Sequence, residues 1–68
     1  MPTWDERVGG KLKMLRKERK LPLRTAADDT GVPEQRLIYA ETGNCRLTCQ
    51  DFYVLAEYFQ VPVEFLMN

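Results

Sequence analysis

Between Leu23 and Gly43 the chain reads L-R-T-A-A-D-D-T-G-V-P-E-Q-R-L-I-Y-A-E-T-G, and this stretch limits the available folds more than any other. It sets a small residue (Ala27), a turn glycine (Gly31) and apolar anchors (Val32, Leu37, Ala40) at the spacing of two short helices crossing over a tight turn. Ala27 falls where the second helix crosses closest to the first, so a larger side chain there would push the pair apart. Gly31 can take the left-handed conformation that ends one helix and redirects the chain. The unit predicted is a helix-turn-helix.

The prolines divide the rest of the chain in the same way. Pro2, Pro22, Pro33 and Pro62 each stand where a helix would begin. A first-turn proline loses no intrahelical hydrogen bond, and its ring forbids backward extension of the helix. The first helix is predicted over Trp4 to Lys20, opened by Thr3 and Glu6 at capping-box spacing, with Val8, Leu12 and Leu15 on one face. Gly9 and Gly10 each cost it about 1 kcal/mol relative to alanine, which predicts fraying of its N-terminal part. The motif contributes helices over Leu23–Thr30 and Glu34–Glu41. A fourth helix follows Thr48 and Asp51, which again have capping-box spacing, with Phe52, Leu55, Ala56 and Phe59 toward the core. A fifth runs from Pro62 to Met67. No segment alternates with period two for long enough to be a strand. The prediction is one compact all-α domain of five helices over residues 1–68.

Charge restricts the partners. The chain of 68 residues has zero formal net charge and no histidine. The charges are segregated. Residues 1–24 hold eight basic and three acidic groups, a balance of +5, and residues 25–68 hold Arg36 and Arg46 against seven carboxylates, a balance of −5. The split permits a basic nucleic-acid-facing surface on a neutral protein, and equally a plainly solvated first helix. No apolar run nears the roughly 20 residues that span a bilayer, and M-P-T-W-D-E is no signal segment, so no membrane partner and a cytoplasmic location are expected. Cys45 and Cys49 cannot make a four-ligand zinc site within one chain. They are read as reduced thiols, with a disulfide or an intermolecular metal site as alternatives, and no cofactor or metal is implied. Without histidine or a nucleophile beside an evident base, an enzyme is not expected, nor a small-molecule substrate.

Read in order, L-K-M-L-R-K-E-R-K-L, A-A-D-D-T-G-V, L-I-Y-A-E-T-G and Y-V-L-A-E-Y-F-Q-V-P-V-E-F-L resemble the phage-repressor, Cro-like or XRE type of helix-turn-helix domain over about residues 8–67. The resemblance implies a lambda-repressor-like five-helix domain, a transcriptional regulator that binds double-stranded operator DNA as a homodimer. It implies an ion pair between Arg16 in the first helix and Glu41 ending the third, since a planar guanidinium can hold a carboxylate through two parallel hydrogen bonds. Glu34, Gln35, Arg36 and Tyr39 are expected on the exposed face of the recognition helix, with Leu37 and Ala40 turned inward. Of these, Gln35 suits adenine and Arg36 suits guanine, whereas a carboxylate such as Glu34 accepts only from a cytosine amino group and repels phosphates.

The chain departs from the family pattern at Pro22, Leu23 and Pro33, where polar caps commonly help to clamp phosphates. That work would pass to backbone N–H groups at helix starts, Arg24, Asn44 and Arg46. Neutral charge, Leu23 and Glu34 also fit a second reading, an adaptor or antirepressor that keeps the fold as a protein-interaction module. Phe65, Leu66 and Met67 fall on three consecutive positions of the last helix, which cannot turn all three toward one core. They are expected to supply a dimer interface beside Tyr53, Val54 or Tyr58.

Overall fold

A computed structural model describes residues 3–67, so the proline at position 2 lies outside the described residues. Five helices follow one another: α1 (Trp4–Glu18), α2 (Leu23–Thr30), α3 (Glu34–Glu41), α4 (Cys49–Phe59) and α5 (Val63–Met67). Both capping boxes are formed. The Thr3 hydroxyl accepts from the Glu6 N–H and the Glu6 carboxylate accepts from Thr3 N–H, and Thr48 and Asp51 repeat the exchange at α4. The bond from Thr3 holds the Glu6 carboxyl below the usual glutamate pKa.

Helix α1 stops two residues earlier than its periodicity predicts. Lys20 enters the left-handed region at φ 53°, while Leu21 N–H bonds the Arg16 carbonyl and Lys20 N–H bonds that of Lys17. This is a Schellman ending built without glycine. Gln60, at φ 58°, ends α4 with the same pair of bonds, from Val61 to Ala56 and from Gln60 to Glu57. In both cases an apolar residue and then a proline follow, so the chain leaves each helix through the same device.

The core gathers Val8, Leu12 and Leu15 from α1, Ala26 and Ala27 from α2, Val32, Leu37 and Ala40 around α3, and Phe52, Leu55, Ala56 and Phe59 from α4. Leu66 joins them at 0% exposure, which removes it from the expected dimer surface. Of the three consecutive apolar residues in α5 it is the one aimed inward, and full burial of a leucine contributes about 1.5–3 kcal/mol. Phe65 and Met67 stay exposed on either side of it.

Helix α1 runs unbroken through both of its glycines. Gly9 is buried where α1 crosses α3, so close that a Cβ placed on it would lie 2.0 Å from the Ala40 carbonyl oxygen. Gly10, one position on, faces open space. The first glycine is therefore the condition for the α1–α3 contact that sets the position of α3.

Candidate nucleic-acid interface

The turn between α2 and α3 is closed locally. Gly31 takes φ 78° and donates its N–H to the Ala27 carbonyl at 2.8 Å. The Thr30 hydroxyl donates back to the Ala26 carbonyl at 2.7 Å and accepts from Val32 N–H at 3.2 Å. With Ala27 buried at the crossing and Val32 and Leu37 anchored beneath, α3 is held with one side free.

That free side carries Glu34, Gln35, Ile38 and Tyr39, all exposed. Gln35 Nε2 donates to Tyr39 Oη at 3.1 Å, and the Arg46 guanidinium lies over the Tyr39 ring, 5.4 Å from its centroid. The Tyr39 carbonyl accepts from Asn44 N–H at 2.9 Å and from the Thr42 hydroxyl at 2.8 Å, so the loop bearing Asn44 and Arg46 is tied to the end of α3. On the other flank Arg24, exposed in the first turn of α2, shares an open groove with Asp28 and Glu34. Neither α2 nor α3 has a side-chain cap, because Pro22 and Pro33 occupy the cap positions.

Arg36 is a correction to the expected exposed face. Its Nη1 donates to Asp51 Oδ2 at 2.7 Å, with the two side chains only 35% and 11% exposed. Asp51 Oδ2 also accepts from Thr48 N–H, so Arg36 ties α3 to the capping box of α4. The helical period accounts for this: Arg36 stands about 40° around the helix from buried Ala40, whereas Ile38 stands about 160° from it. The same count places Ile38, an apolar residue for which the sequence carries no site signal, among the outward residues.

Arg16 and Glu41 form a bidentate pair, Nε to Oε2 at 2.8 Å and Nη2 to Oε1 at 2.9 Å, with side chains 14% and 8% exposed. The third donor, Nη1, bonds the Leu21 carbonyl at 2.7 Å. One guanidinium thus joins α1, the end of α3 and the entry to α2, and the hydrogen bonds of Glu41 raise the Arg16 pKa further above its ordinary value. Two other cations of the basic segment also serve the structure. Arg19 donates to the Tyr58 and Phe59 carbonyls at 3.3 and 2.6 Å, satisfying the C-terminus of α4, and Lys11 Nζ bonds the Phe65 carbonyl at 2.8 Å.

Trp4, Phe65 and Met67 are exposed together, with Trp4 Nε1 donating to the Met67 carbonyl and the Trp4 ring 6.0 Å from that of Phe52. Lys11 lies over the Phe65 ring at 5.1 Å. Tyr53 is exposed and Val54 half-buried, while Tyr58 donates its hydroxyl to Asp29 Oδ2 at 2.7 Å, a bond that raises the Tyr58 pKa. Cys45 and Cys49 are free thiols, and burial pushes that of Cys45 up. Among the described residues no group of three His, Cys, Asp or Glu side chains is placed to hold a metal ion, and no helix is long and apolar enough to cross a membrane.

The described residues form a small all-α domain of five helices in which α2 and α3 make the helix-turn-helix unit. No family model matches the chain, and neither the curated proteins nor the solved structures give a significant match.

Proposed function

We propose that the chain is a sequence-specific DNA-binding transcriptional regulator of prokaryotic or phage type, acting in the cytoplasm, in which α3 reads operator DNA from the major groove. The observation that carries this reading is the outward face of α3, where hydrogen-bonding and apolar side chains (Glu34, Gln35, Ile38, Tyr39) are flanked by one cation on each side, Arg24 and Arg46. Flanking cations can hold the two phosphate strands while the side chains between them meet base edges. The uncapped first turns of α2 and α3 offer backbone N–H groups to the same phosphates. Pairing of two copies through Trp4, Phe65 and Met67 would let two such helices meet a pseudo-palindromic site with half-sites about 34 Å apart.

The test is a salt titration of binding to random and then selected duplex DNA. Two phosphate contacts per subunit, four in a dimer, correspond to a log–log slope of about −3.6. Arg46→Ala should weaken binding to all sequences alike and reduce the slope by about one unit per altered contact. A second reading, a protein-interaction module without DNA affinity, is favoured by Asp28 and Glu34 facing Arg24 in the groove beside α3. A slope near zero on every duplex would decide for it.

A further inference from the structure

The side chains on α3 permit a statement about which bases they suit, and it rests on the DNA-binding reading above. We propose that the half-site contacted by α3 is specified by adenine–thymine pairs, with Gln35 taking an adenine and Ile38 the methyl group of a thymine, and that no guanine is read from this helix.

Guanine is read from the major groove most often by a cation, since O6 and N7 are both acceptors and the commonest specific contact to them is a bidentate arginine or lysine. Helix α3 holds one basic residue, Arg36, and that guanidinium is already on Asp51 at 2.7 Å. Withdrawing it would break a half-buried ion pair and strip a partner from the carboxylate that caps α4. Glu34, near the start of the helix, repels the guanine acceptors and could accept only from a cytosine amino group, so it adds no contact to a purine.

Gln35 is prepared for adenine by its neighbour. An amide nitrogen has two hydrogens, and the one given to Tyr39 Oη leaves the second, together with Oε1, for adenine N7 and N6. Tyr39 is itself held, by the Arg46 guanidinium over its ring and by the bonds its carbonyl accepts from Asn44 and Thr42. That bond restricts the amide before any base arrives, which lowers the entropy lost on contact.

Ile38 lies three residues on, beside Gln35 on the same face, and is 40% exposed. A branched aliphatic chain has nothing to offer the donors and acceptors of a guanine–cytosine pair and would leave them desolvated without partners. Against the thymine C5-methyl it makes an apolar contact instead.

The experiment selects duplexes from a random library with the full chain, then titrates wild type, Ile38→Ala and Gln35→Ala against the best duplex and against versions in which single thymines are replaced by deoxyuridine, which lacks only the methyl group. The expected half-site is built on adenine–thymine pairs. One uracil substitution should weaken the wild type about fourfold, the equivalent of one buried methyl, and leave Ile38→Ala unchanged. Gln35→Ala should lose about tenfold at a single adenine and nothing at its neighbours. Because the uracil change is made in the DNA, its result does not depend on any variant folding. A selected half-site dominated by guanine, or affinity indifferent to every uracil, overturns the assignment while leaving DNA binding intact; failure to enrich any sequence overturns the DNA-binding reading with it.

Discussion

Replacing Gly9 and Gly10 one at a time by alanine separates helix propensity from helix packing within a single turn of α1. Propensity favours both changes by about 1 kcal/mol, since glycine is the poorest helix former after proline. Space does not. The new Cβ at position 10 meets nothing within 4 Å, whereas at position 9 it would stand 2.0 Å from the Ala40 carbonyl oxygen, 3.0 Å from its carbon and 3.2 Å from Glu41 Cα. All three are backbone atoms, so no rotamer change relieves the clash. Reaching ordinary contact at 3.4 Å requires α1 and α3 to part by about 1.4 Å. Overpacking typically costs about 1–3 kcal/mol. With a backbone obstacle the upper figure applies, which leaves Gly9→Ala destabilised by about 2 kcal/mol after its propensity gain. For a domain of this size each kcal/mol moves Tm by about 4–8 °C, so Gly9→Ala should melt about 8–16 °C lower and Gly10→Ala about 4–8 °C higher. Thermal unfolding followed by far-ultraviolet circular dichroism reads both. If the two variants shift in the same direction, the close approach of α1 to Ala40 does not exist as described.

Glu41→Ala should cost about 1–3 kcal/mol by leaving the partly buried Arg16 guanidinium without its carboxylate, while exposed Glu57→Ala should stay within about 0.5 kcal/mol; equal denaturation midpoints would remove the pair from any structural role. The raised Tyr58 pKa means that the native state favours the neutral phenol, so this stabilisation is complete below the ordinary tyrosine value and is lost as pH climbs through the raised one. Urea midpoints measured from about pH 8 to about pH 11 should therefore fall more steeply for wild type than for Tyr58→Phe, and parallel slopes would contradict the bond to Asp29. For assembly, sedimentation should show a wild-type dimer that Phe65→Ala, Met67→Ala converts to monomer without loss of helicity; a wild type monomeric at high micromolar concentration, and on DNA as well, would end the proposal of pairing through that face.

What could be read in the chain beforehand follows from how local each signal is. Caps, prolines and the 3.6-residue period act within a turn or two, and they locate α2 and α3 to the residue and both capping boxes. The end of α1 is less legible because its left-handed residue is Lys20, where no glycine marks it. Gly9 reads as a cost from sequence alone, and only its meeting with Ala40, distant in the chain, turns it into a requirement. Leu66 sits between two equally apolar neighbours, so nothing local says which of the three faces the core. Arg36 borders the buried side of α3, and its partner Asp51 is identified from sequence only as a cap. The exposed face was therefore legible in outline, with Gln35 and Tyr39 on it, but one cation was credited to it that belongs to the frame.

The same pairings draw part of the charge of a chain split into a basic and an acidic part into its frame. Arg16 crosses from the basic segment to Glu41 in the acidic one, and Arg19 reaches the carbonyl end of α4. Lys11 does the same at α5. Helix α1 also packs on the Ala40 side of α3, opposite Ile38 on the helix. Charge segregation along the sequence is thus in part the complementarity of two segments that fold against each other. Beside α3 the cations are Arg24 and Arg46, opposed by Asp28 and Glu34. Such a face gains little from phosphates in general, because counterion release scales with the number of contacts. Any useful affinity must come from base edges, so the ratio of specific to non-specific binding should be high even where absolute affinity is modest. A regulator of this kind would discriminate by the fit of α3, with Gly9, Arg16 and Arg36 holding that helix in place.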